Sequence, residues 1–373
     1  MKIAFALFKY FPYGGLQLDT VRFLAETARR GHQAVLFVCE INGALPEIAG
    51  VRVVELPVSA ASNHGMALAF EKKFHEAVRS AGDFDVTVAM NRIRGCDFYF
   101  AADNCLAVEY RKKHSPLVLK LLPRYRTFLQ LEKGIFAPDS KTKIFYIAPP
   151  QLEDFTEVYD TEKDRFIPLP PGIPEKYRGV RADDEARKIL RKNFNIADDK
   201  IILISIGANF KLKGFDRAIE VLASLPAALR EKIVWLAVGP DENKAIRAQA
   251  EQKGIAHIFA GARNDTPQLI SGSDLMIHLP RSEAAGSVIV EALSCHIPVL
   301  CTGNCGFAPY AEAAGCPVVP GGYEHDIAVK LCCDMLTSLE RYKEQLAVFS
   351  KETDFFGRSA KAVEVMEKFV RHS

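Results

Sequence analysis

The chain has 373 residues, more than one hydrophobic core usually organises, so its length predicts two domains. Hydrophobic residues make up 49% and charged residues 25%, which is typical of a soluble globular protein. The net charge of +2 is too small for bulk attraction to nucleic acid, so we expect no nucleic-acid partner. No apolar run is long enough to cross a bilayer, and the first one lacks a signal-peptide cleavage site. These features predict a cytoplasmic protein.

The nine cysteines are scattered, odd in number and without the paired spacing of metal ligands. Cys301 and Cys305 have no matching second pair, and Cys332 and Cys333 lie in an apolar helical stretch. We therefore expect buried free thiols in a reducing compartment rather than zinc ligands or disulfides, and no metal site.

The first half of the chain alternates short apolar runs with helical patterns. The predicted strands are 2–8, 33–39, 51–56, 85–90 and 97–102, and the predicted helices are 20–30 and 66–80. The second half repeats this alternation. Its predicted strands are 200–206, 233–238, 256–259, 274–279 and 298–301, and its predicted helices are 216–223, 243–253, 267–271 and 287–294. Apolar runs separated by helices predict an α/β fold with two parallel sheets, each covered on both faces.

Segment 167–174 lies between the halves and contains four prolines in eight residues. Because four prolines in eight residues cannot continue a sheet or a helix, we expect the hinge at 168–175. This predicts two Rossmann-like domains, 1–167 and 176–354, which face a central cleft at the carboxyl ends of their strands. We further expect a last helix at about 360–371, within the C-terminal segment 355–373, to pack back on the first domain.

The strongest candidate site lies in 279–293, where a strand ends, a loop of small residues follows, and a helix begins near Ser287. Small residues at such a junction let backbone N–H groups approach an anion, which the helix dipole also favours. Glu283 lies in the loop and Glu291 about one turn into the helix. Carboxylates beside an anion site are electrostatically unfavourable unless they accept hydrogen bonds from hydroxyl groups. Sugars supply such hydroxyls. The alternative is a capped helix with Glu291 on a solvated face.

Two further loops follow predicted first strands. After the strand 200–206, a glycine precedes Lys211 and Lys213, a pattern that suits a diphosphate leaving group, although such lysines are often simply solvated. After the strand 2–8, Gly14 and Gly15 permit close approach of the backbone to a ligand. The dinucleotide pattern Gly-x-Gly-x-x-Gly is absent there, and an ordinary flexible loop is the alternative.

Together, the Glu283/Glu291 pair, the Lys213-Gly214 turn and the Gly14-Gly15 loop resemble the retaining GT-B glycosyltransferases. The resemblance runs over nearly the whole chain and is strongest to the family of lipopolysaccharide core glucosyltransferase I. The segments that carry it are 9–17, 63–65, 99–103, 169–173, 261–265 and 283–286. As a set these segments are specific.

The resemblance implies a role for each matching position. Glu291 would accept hydrogen bonds from the ribose hydroxyls of a UDP-sugar, and Glu283 would hold hydroxyls of the transferred hexose. Backbone amides of Ala285, Gly286 and Ser287 would contact the diphosphate.

Three other positions receive implied roles. Lys213 would neutralise the diphosphate, Arg263 would lie in the loop that borders the uracil, and Asp103 would contact the acceptor or the reacting sugar. The remaining first-domain candidates are Gly14 and Gly15 on the donor side and Asp19 and His64 on the acceptor side.

The chain departs from the family pattern in the loop after the strand 200–206. The family commonly has arginine at the position of Ala208, and its closer members have arginine at the position of Leu212. We expect Lys211 to supply the missing positive charge.

The implied activity is transfer of a hexose, glucose by the resemblance, from a UDP-sugar to a heptose of the lipopolysaccharide inner core. Such enzymes retain the anomeric configuration and use no metal or further cofactor. Two other functions stay open: a UDP-sugar epimerase on the same scaffold, and a non-catalytic two-lobed sugar-binding protein.

Segment 110–126 interleaves basic, aliphatic and aromatic residues, a composition that favours anionic membrane surfaces. Its two prolines argue against one continuous amphipathic helix. We expect peripheral association with the inner membrane, where a lipid-anchored acceptor would lie. The alternative is a helical hairpin whose basic residues are solvated.

Overall fold

The computed structural model describes residues 1–12, 14–241 and 243–372, except for the side chain of residue 372. The chain forms two compact units. Unit 1 contains residues 1–172 and the C-terminal segment from Gly357 onward, and unit 2 contains Ile173–Phe356. The sequence predicts the corresponding boundaries after residue 167, after residue 175 and after residue 354.

Unit 1 is built on a seven-stranded sheet in the order β3-β2-β1-β4-β5-β6-β7, and all of its strand pairs are parallel. Its strands are β1 Lys2–Tyr10, β2 Gln33–Ile41, β3 Val51–Glu55, β4 Val86–Ala89, β5 Phe98–Ala101, β6 Lys143–Tyr146 and β7 Phe166–Pro168. Its helices are α1 Gly15–Arg29, α2 Asn63–Ala81, α3 Leu106–Lys113, α4 Pro116–Leu121, α5 Pro123–Phe136, α6 Pro149–Tyr159 and, from the end of the chain, α16 Arg358–His372. The central strand β1 is apolar on both faces because helices cover the sheet on both sides.

The five strands and two helices predicted for the first half are present. Helices α3–α6 had no predicted bounds, and three further details differ. β6 and β7 were not predicted, because runs of four and three residues carry too little pattern. The expectation that the proline-rich segment cannot belong to a sheet is wrong at its start, since β7 ends at Pro168. β7 is an edge strand, where a missing N–H is tolerated. α1 begins at Gly15 rather than at residue 20, because its buried face already starts at Gln17.

Unit 2 contains a six-stranded parallel sheet in the order β10-β9-β8-β11-β12-β13. Its strands are β8 Ile201–Ile206, β9 Ile233–Val238, β10 His257–Gly261, β11 Leu275–His278, β12 Val299–Thr302 and β13 Val318–Val319. Its helices are α7 Asp184–Phe194, α8 Phe215–Ala223, α9 Ala227–Arg230, α10 Lys244–Gln252, α11 Thr266–Ser271, α12 Ser287–Ser294, α13 Ala308–Ala313, α14 His325–Thr337 and α15 Leu339–Glu352.

The predicted parallel α/β architecture is therefore confirmed in both halves. Helix α12 has the predicted bounds, whereas α7, α9, α13, α15 and the two-residue strand β13 were not predicted. Eight of the nine cysteines are buried free thiols, and Cys333 is half-buried. Within the described part of the chain, no helix combines the length and the apolar character that spanning a lipid bilayer requires.

Candidate active site

The candidate site of unit 2 lies at the carboxyl edge of its sheet, where the loop after β8 meets the loop after β11. Gly214 has a φ of +73°, and a β-carbon there would overlap the backbone carbonyl of Leu279. The Arg281 N–H donates to the Leu212 carbonyl at 2.9 Å, which fastens the two loops together. A glycine after Lys213 is therefore required both by its left-handed conformation and by the close approach of two backbones.

Lys213 and Glu283 form an ion pair across these loops. The lysine side chain passes directly over Gly207, where a β-carbon would lie 2.7 Å from Lys213 Cγ. The Glu283 side chain is 14% exposed. Burial opposes its ionisation, but His278 and Lys213 outweigh that effect and hold the pKa of the carboxyl below its ordinary value. Glu283 is thus a half-buried, ionised acceptor beside a lysine.

His278 is the last residue of β11 and was not identified from the sequence. It is 2% exposed, and its Nε2 atom lies 3.4 Å from Glu283 Oε2. The available signal was a polar residue that ends an otherwise apolar run, Leu275–His278, two residues before the loop of small residues.

Helix α12 begins directly after Gly286, whose φ of 82° and ψ of 51° are left-handed. Gly286 has no side chain that could cap the helix. The first backbone N–H groups of α12 therefore receive no side-chain acceptor from the N-cap residue. The Ala285 carbonyl accepts from Phe307 N–H at 2.7 Å, which holds the loop, and Ser287 is exposed. These amides fit the anion-binding role predicted for residues 285–287.

Glu291, one turn into α12, is held by a residue that sequence analysis missed. The Tyr177 hydroxyl donates to Glu291 Oε2 at 2.8 Å and lies 2.9 Å from Thr266 Oγ1. Tyr177 is 2% exposed, and burial together with the Glu291 charge raises its pKa, so it stays a neutral donor. Glu291 is therefore a positioned carboxylate and not only a solvated residue on the outer face of its helix.

Lys211 is engaged with Asp216. Its ammonium lies 2.7 Å from Asp216 Oδ2, and Arg281 binds both oxygens of the same carboxylate at 2.7 Å. Burial would raise the pKa of Asp216, but these two cations lower it to about 2. The three groups together keep one net positive charge, and Arg281, which sequence analysis did not single out, supplies part of it.

Arg263 follows β10 and pairs with Asp265, with its Nε 2.8 Å from the carboxylate. The neighbouring loop borders a cavity of about 750 Å³ at the ends of β8, β9 and β10. Its walls include Phe210, Phe259 and Gly261, and Arg247 lies over the Phe259 ring at 4.3 Å. A planar base would find apolar walls there.

The first-domain candidates lie in unit 1. Gly14 precedes α1 and Gly15 opens it, and a β-carbon on Gly15 would meet open space. The structure gives Asp19 a different setting from the acceptor-side role predicted for it. Asp19 is 6% exposed, and its carboxylate is bound by Arg22 at 3.1 Å and by Arg358. A carboxylate held by two arginines is a structural anchor in this chain.

Asp103 and His64 lie on separate segments of unit 1. Asp103 follows β5, its side chain is 68% exposed, and Arg92 approaches it at 3.5 Å. Arg92 also donates to Glu132, a fully buried carboxylate that accepts from the backbone N–H groups of residues 106 and 107 at the start of α3. His64, in the first turn of α2, is half-buried, 3.2 Å from Ser62 Oγ.

Between these segments, a cavity of about 270 Å³ lies in unit 1 near the ends of β1 and β4. Asn63, next to His64, and Arg92, next to Asp103, both line it. Within the described residues, no cluster of three or more His, Cys, Asp or Glu side chains is arranged to hold a metal ion.

Known proteins resemble this chain in family and in fold. The family profile "Glycosyl transferases group 1" matches residues 186–329, all within unit 2. The lipopolysaccharide glucosyltransferase WaaG of Escherichia coli K12 is 35% identical over 322 residues, which are 86% of this chain and 85% of WaaG. A crystal structure of WaaG covers 98% of this chain and 99% of its own, with 32% identity and a TM-score of 0.82. Anabaena HepE, solved with UDP and glucose, has a TM-score of 0.70 at 17% identity over 99% and 100% of the chains, a likeness of fold alone.

The two parallel-sheet α/β units and these matches define a glycosyltransferase with a GT-B-like structure. More narrowly, the chain belongs to the family of the lipopolysaccharide glucosyltransferase WaaG. The family resemblance inferred from the sequence is thereby confirmed, and of the three functions left open there it supports the glycosyltransferase.

Proposed function

We propose that this protein transfers a glucosyl residue from UDP-glucose to a heptose of the lipopolysaccharide inner core, with retention of the anomeric configuration. The observation that carries the proposal is the Lys213–Glu283 pair beside the N-terminus of α12. A nucleotide sugar needs positive charge for its diphosphate and acceptors for its hydroxyls, and this edge of the sheet supplies both. The likeness to WaaG supports the choice of glucose and of a lipopolysaccharide acceptor.

The proposed mechanism relies on positioning and on charge. Lys213 and the amides of residues 285–287 stabilise the negative charge that grows on the diphosphate as the sugar bond breaks. Glu283 holds hydroxyls of the transferred sugar, and Glu291 holds the ribose. The departing phosphate oxygen accepts the proton of the acceptor hydroxyl on the same face of the sugar, and a new glycosidic bond forms there. Asp103 holds the acceptor in place.

Product analysis tests the proposal. The full chain is incubated with a panel of UDP-hexoses and a heptose-terminated core acceptor, with and without a chelator. We expect transfer of glucose in an α linkage, undiminished by the chelator, since Lys213 and α12 supply the charge that a metal would otherwise provide.

Two results would contradict the proposal in different ways. Release of an altered UDP-sugar with no acceptor present would indicate an epimerase. Loss of transfer with the chelator and its recovery with added Mg²⁺ or Mn²⁺ would contradict the metal-independent mechanism.

We also propose that the enzyme works at the cytoplasmic surface of the inner membrane and docks on anionic lipid through α3–α5. In this surface Leu117, Leu121 and Leu122 are 65%, 63% and 48% exposed. Exposed basic residues accompany them, namely Arg111, Lys112, Lys113, Lys120, Arg124 and Arg126. Helix breaks at Ser115 and Leu122, each before a proline, divide the surface into three short helices. Exposed leucines beside cations favour an anionic interface.

The double change Lys120→Gln and Arg124→Gln is expected to weaken binding to anionic vesicles by about 2 kcal/mol, since each charge contributes about 1 kcal/mol near such a surface. Turnover with a soluble, delipidated acceptor should be unchanged. Vesicle sedimentation at several salt concentrations measures the effect.

The matched control is Lys188→Gln with Lys192→Gln on α7, where both side chains are exposed and the change in net charge is the same. If the two pairs weaken vesicle binding equally, the α3–α5 surface has no special role and only net charge matters.

A further inference from the structure

The nitrogen Nε2 of His278 is the only fully buried side-chain polar atom in the described part of the chain that lacks a hydrogen-bond partner. Folded proteins pair nearly all buried polar atoms, because an unpaired one lowers the free energy of unfolding. A histidine left in this state at the end of β11, next to the candidate sugar-binding glutamate, therefore calls for a physical reason.

The surroundings of His278 supply one. Its Nε2 lies 3.4 Å from Glu283 Oε2, and that same oxygen accepts from the Lys213 ammonium. Cys305 forms an isolated backbone bridge with Glu283, and burial raises the pKa of its thiol to about 12, so the thiol stays uncharged. Glu283 is thus bound by one cation, while a second potential donor, His278, lies 3.4 Å away without making a hydrogen bond to it.

Binding of a nucleotide sugar changes this balance. Lys213 is the cation that we propose for the diphosphate, so the donor competes with Glu283 for the same ammonium. A lysine drawn toward phosphate leaves Glu283, which is 14% exposed, with a weakened partner in a site where water has little access. A shift of a few tenths of an ångström brings the His278 imidazole within hydrogen-bond distance of Oε2.

We propose that His278 is a positioning residue, which forms a hydrogen bond to the Glu283 carboxylate when the donor diphosphate binds Lys213. The Nε2 atom then carries the hydrogen and donates it to Oε2. Glu283 stays ionised and aimed at the hydroxyls of the transferred sugar. This inference rests on the donor-binding role proposed above for Lys213 and Glu283.

The test compares His278→Leu, His278→Gln and the wild type. The leucine removes an unsatisfied polar atom and keeps the volume filled, so the Tm without ligand should stay level or rise. UDP affinity should fall as well, because the UDP diphosphate also engages Lys213 and the leucine offers Glu283 no replacement donor. With UDP-glucose, kcat should fall about tenfold, the equivalent of one ordinary hydrogen bond. Glutamine keeps a side-chain N–H at similar reach and should restore most of kcat.

Two controls separate this role from packing. Met276→Leu changes the residue two positions earlier in β11, also fully buried, and should alter neither kcat nor UDP affinity. In a Glu283→Gln background, His278→Leu should have almost no further effect, since the two side chains act as a unit.

The possible results distinguish a failure of the His278 inference from a failure of the proposed function. A wild-type enzyme that transfers glucose, with a His278→Leu variant of equal kcat, overturns only the inference. A lower Tm of His278→Leu, with as large a loss of kcat in the Glu283→Gln background as in the wild type, overturns it too and shows a packing role. A wild-type enzyme that neither binds UDP-glucose nor transfers glucose overturns the proposed function and the inference together.

Discussion

Glu283→Ala is expected to lower turnover with UDP-glucose on the order of 10²-fold without weakening the binding of UDP. The carboxylate is half-buried beside Lys213 and His278, and in the proposed function it contacts only the sugar, where positive charge develops as the bond to phosphate breaks. UDP lacks the transferred hexose, so its binding loses no contact when the Glu283 side chain is removed. Calorimetry with UDP and initial rates with UDP-glucose measure the two quantities.

Glu291→Ala is expected to show the opposite pattern, because the ribose it would hold is present in UDP and in UDP-glucose alike. UDP affinity should fall by about 1.5–3 kcal/mol, the range for a hydrogen bond to a charged group. Tyr177→Phe should also lower the affinity for UDP, but by less. It removes only the hydroxyl that donates to Glu291 at 2.8 Å.

A matched control for both glutamates is Glu220→Ala, which removes a glutamate of unit 2 that pairs with Lys253 at 2.8 Å at a half-exposed position. It should change neither quantity. Circular dichroism establishes first that every variant is folded. Equal and mild effects of Glu283→Ala and Glu291→Ala on UDP binding and on turnover would mean that the pair is structural.

Arg358→Ala is expected to destabilise unit 1 by about 3–5 kcal/mol, the usual loss when one partner of a buried ion pair is removed. Arg358, in the first turn of α16, is 6% exposed and donates to Asp19 and to the carbonyls of Pro170 and Pro171. Without it, the Asp19 carboxylate keeps only Arg22, and the two carbonyls lose a charged donor. Thermal and urea unfolding measure the change.

The control for Arg358→Ala is Lys361→Ala on the same helix, where the lysine is 45% exposed and its pair with Glu364 spans 3.6 Å. That change should stay within about 0.5 kcal/mol. A double change of Asp19 and Arg358 to alanine should cost less than the sum of the single changes, because neither charge is then left unpaired. Additive losses would contradict an ion pair between them and return Asp19 to the acceptor-side candidates.

The sequence carried enough information for the elements that depend on neighbouring residues. Helix α12 was placed at its observed bounds because a glycine and an apolar pattern of period 3.6 lie within one short segment. The segment that holds Glu283 and Glu291 was identified for the same reason. β6 and β7 were missed because four and three residues contain too few repeats of a strand pattern to be distinguished from loop.

The partners of the candidate site residues were beyond sequence reasoning, because they come from distant parts of the chain. Tyr177 is 114 residues from the Glu291 that it holds, and Arg358 is 339 residues from Asp19. Asp19, an acceptor-side candidate from the sequence, is bound by Arg22 and Arg358. Lys211, expected to replace a missing arginine, proved to share Asp216 with Arg281.

By itself, then, the sequence determined the α/β class, the family and the segments at the ends of β8 and β11 that hold Lys213, Glu283 and Glu291. These follow from periodicity, from glycines at turns and from short motifs, all of which are local. Only the tertiary structure decided which charges are paired, that Asp19 is buried, and that His278 lies unbonded beside Glu283. Those facts depend on contacts that form when the sheets assemble, because burial and distance between side chains are properties of the packed chain.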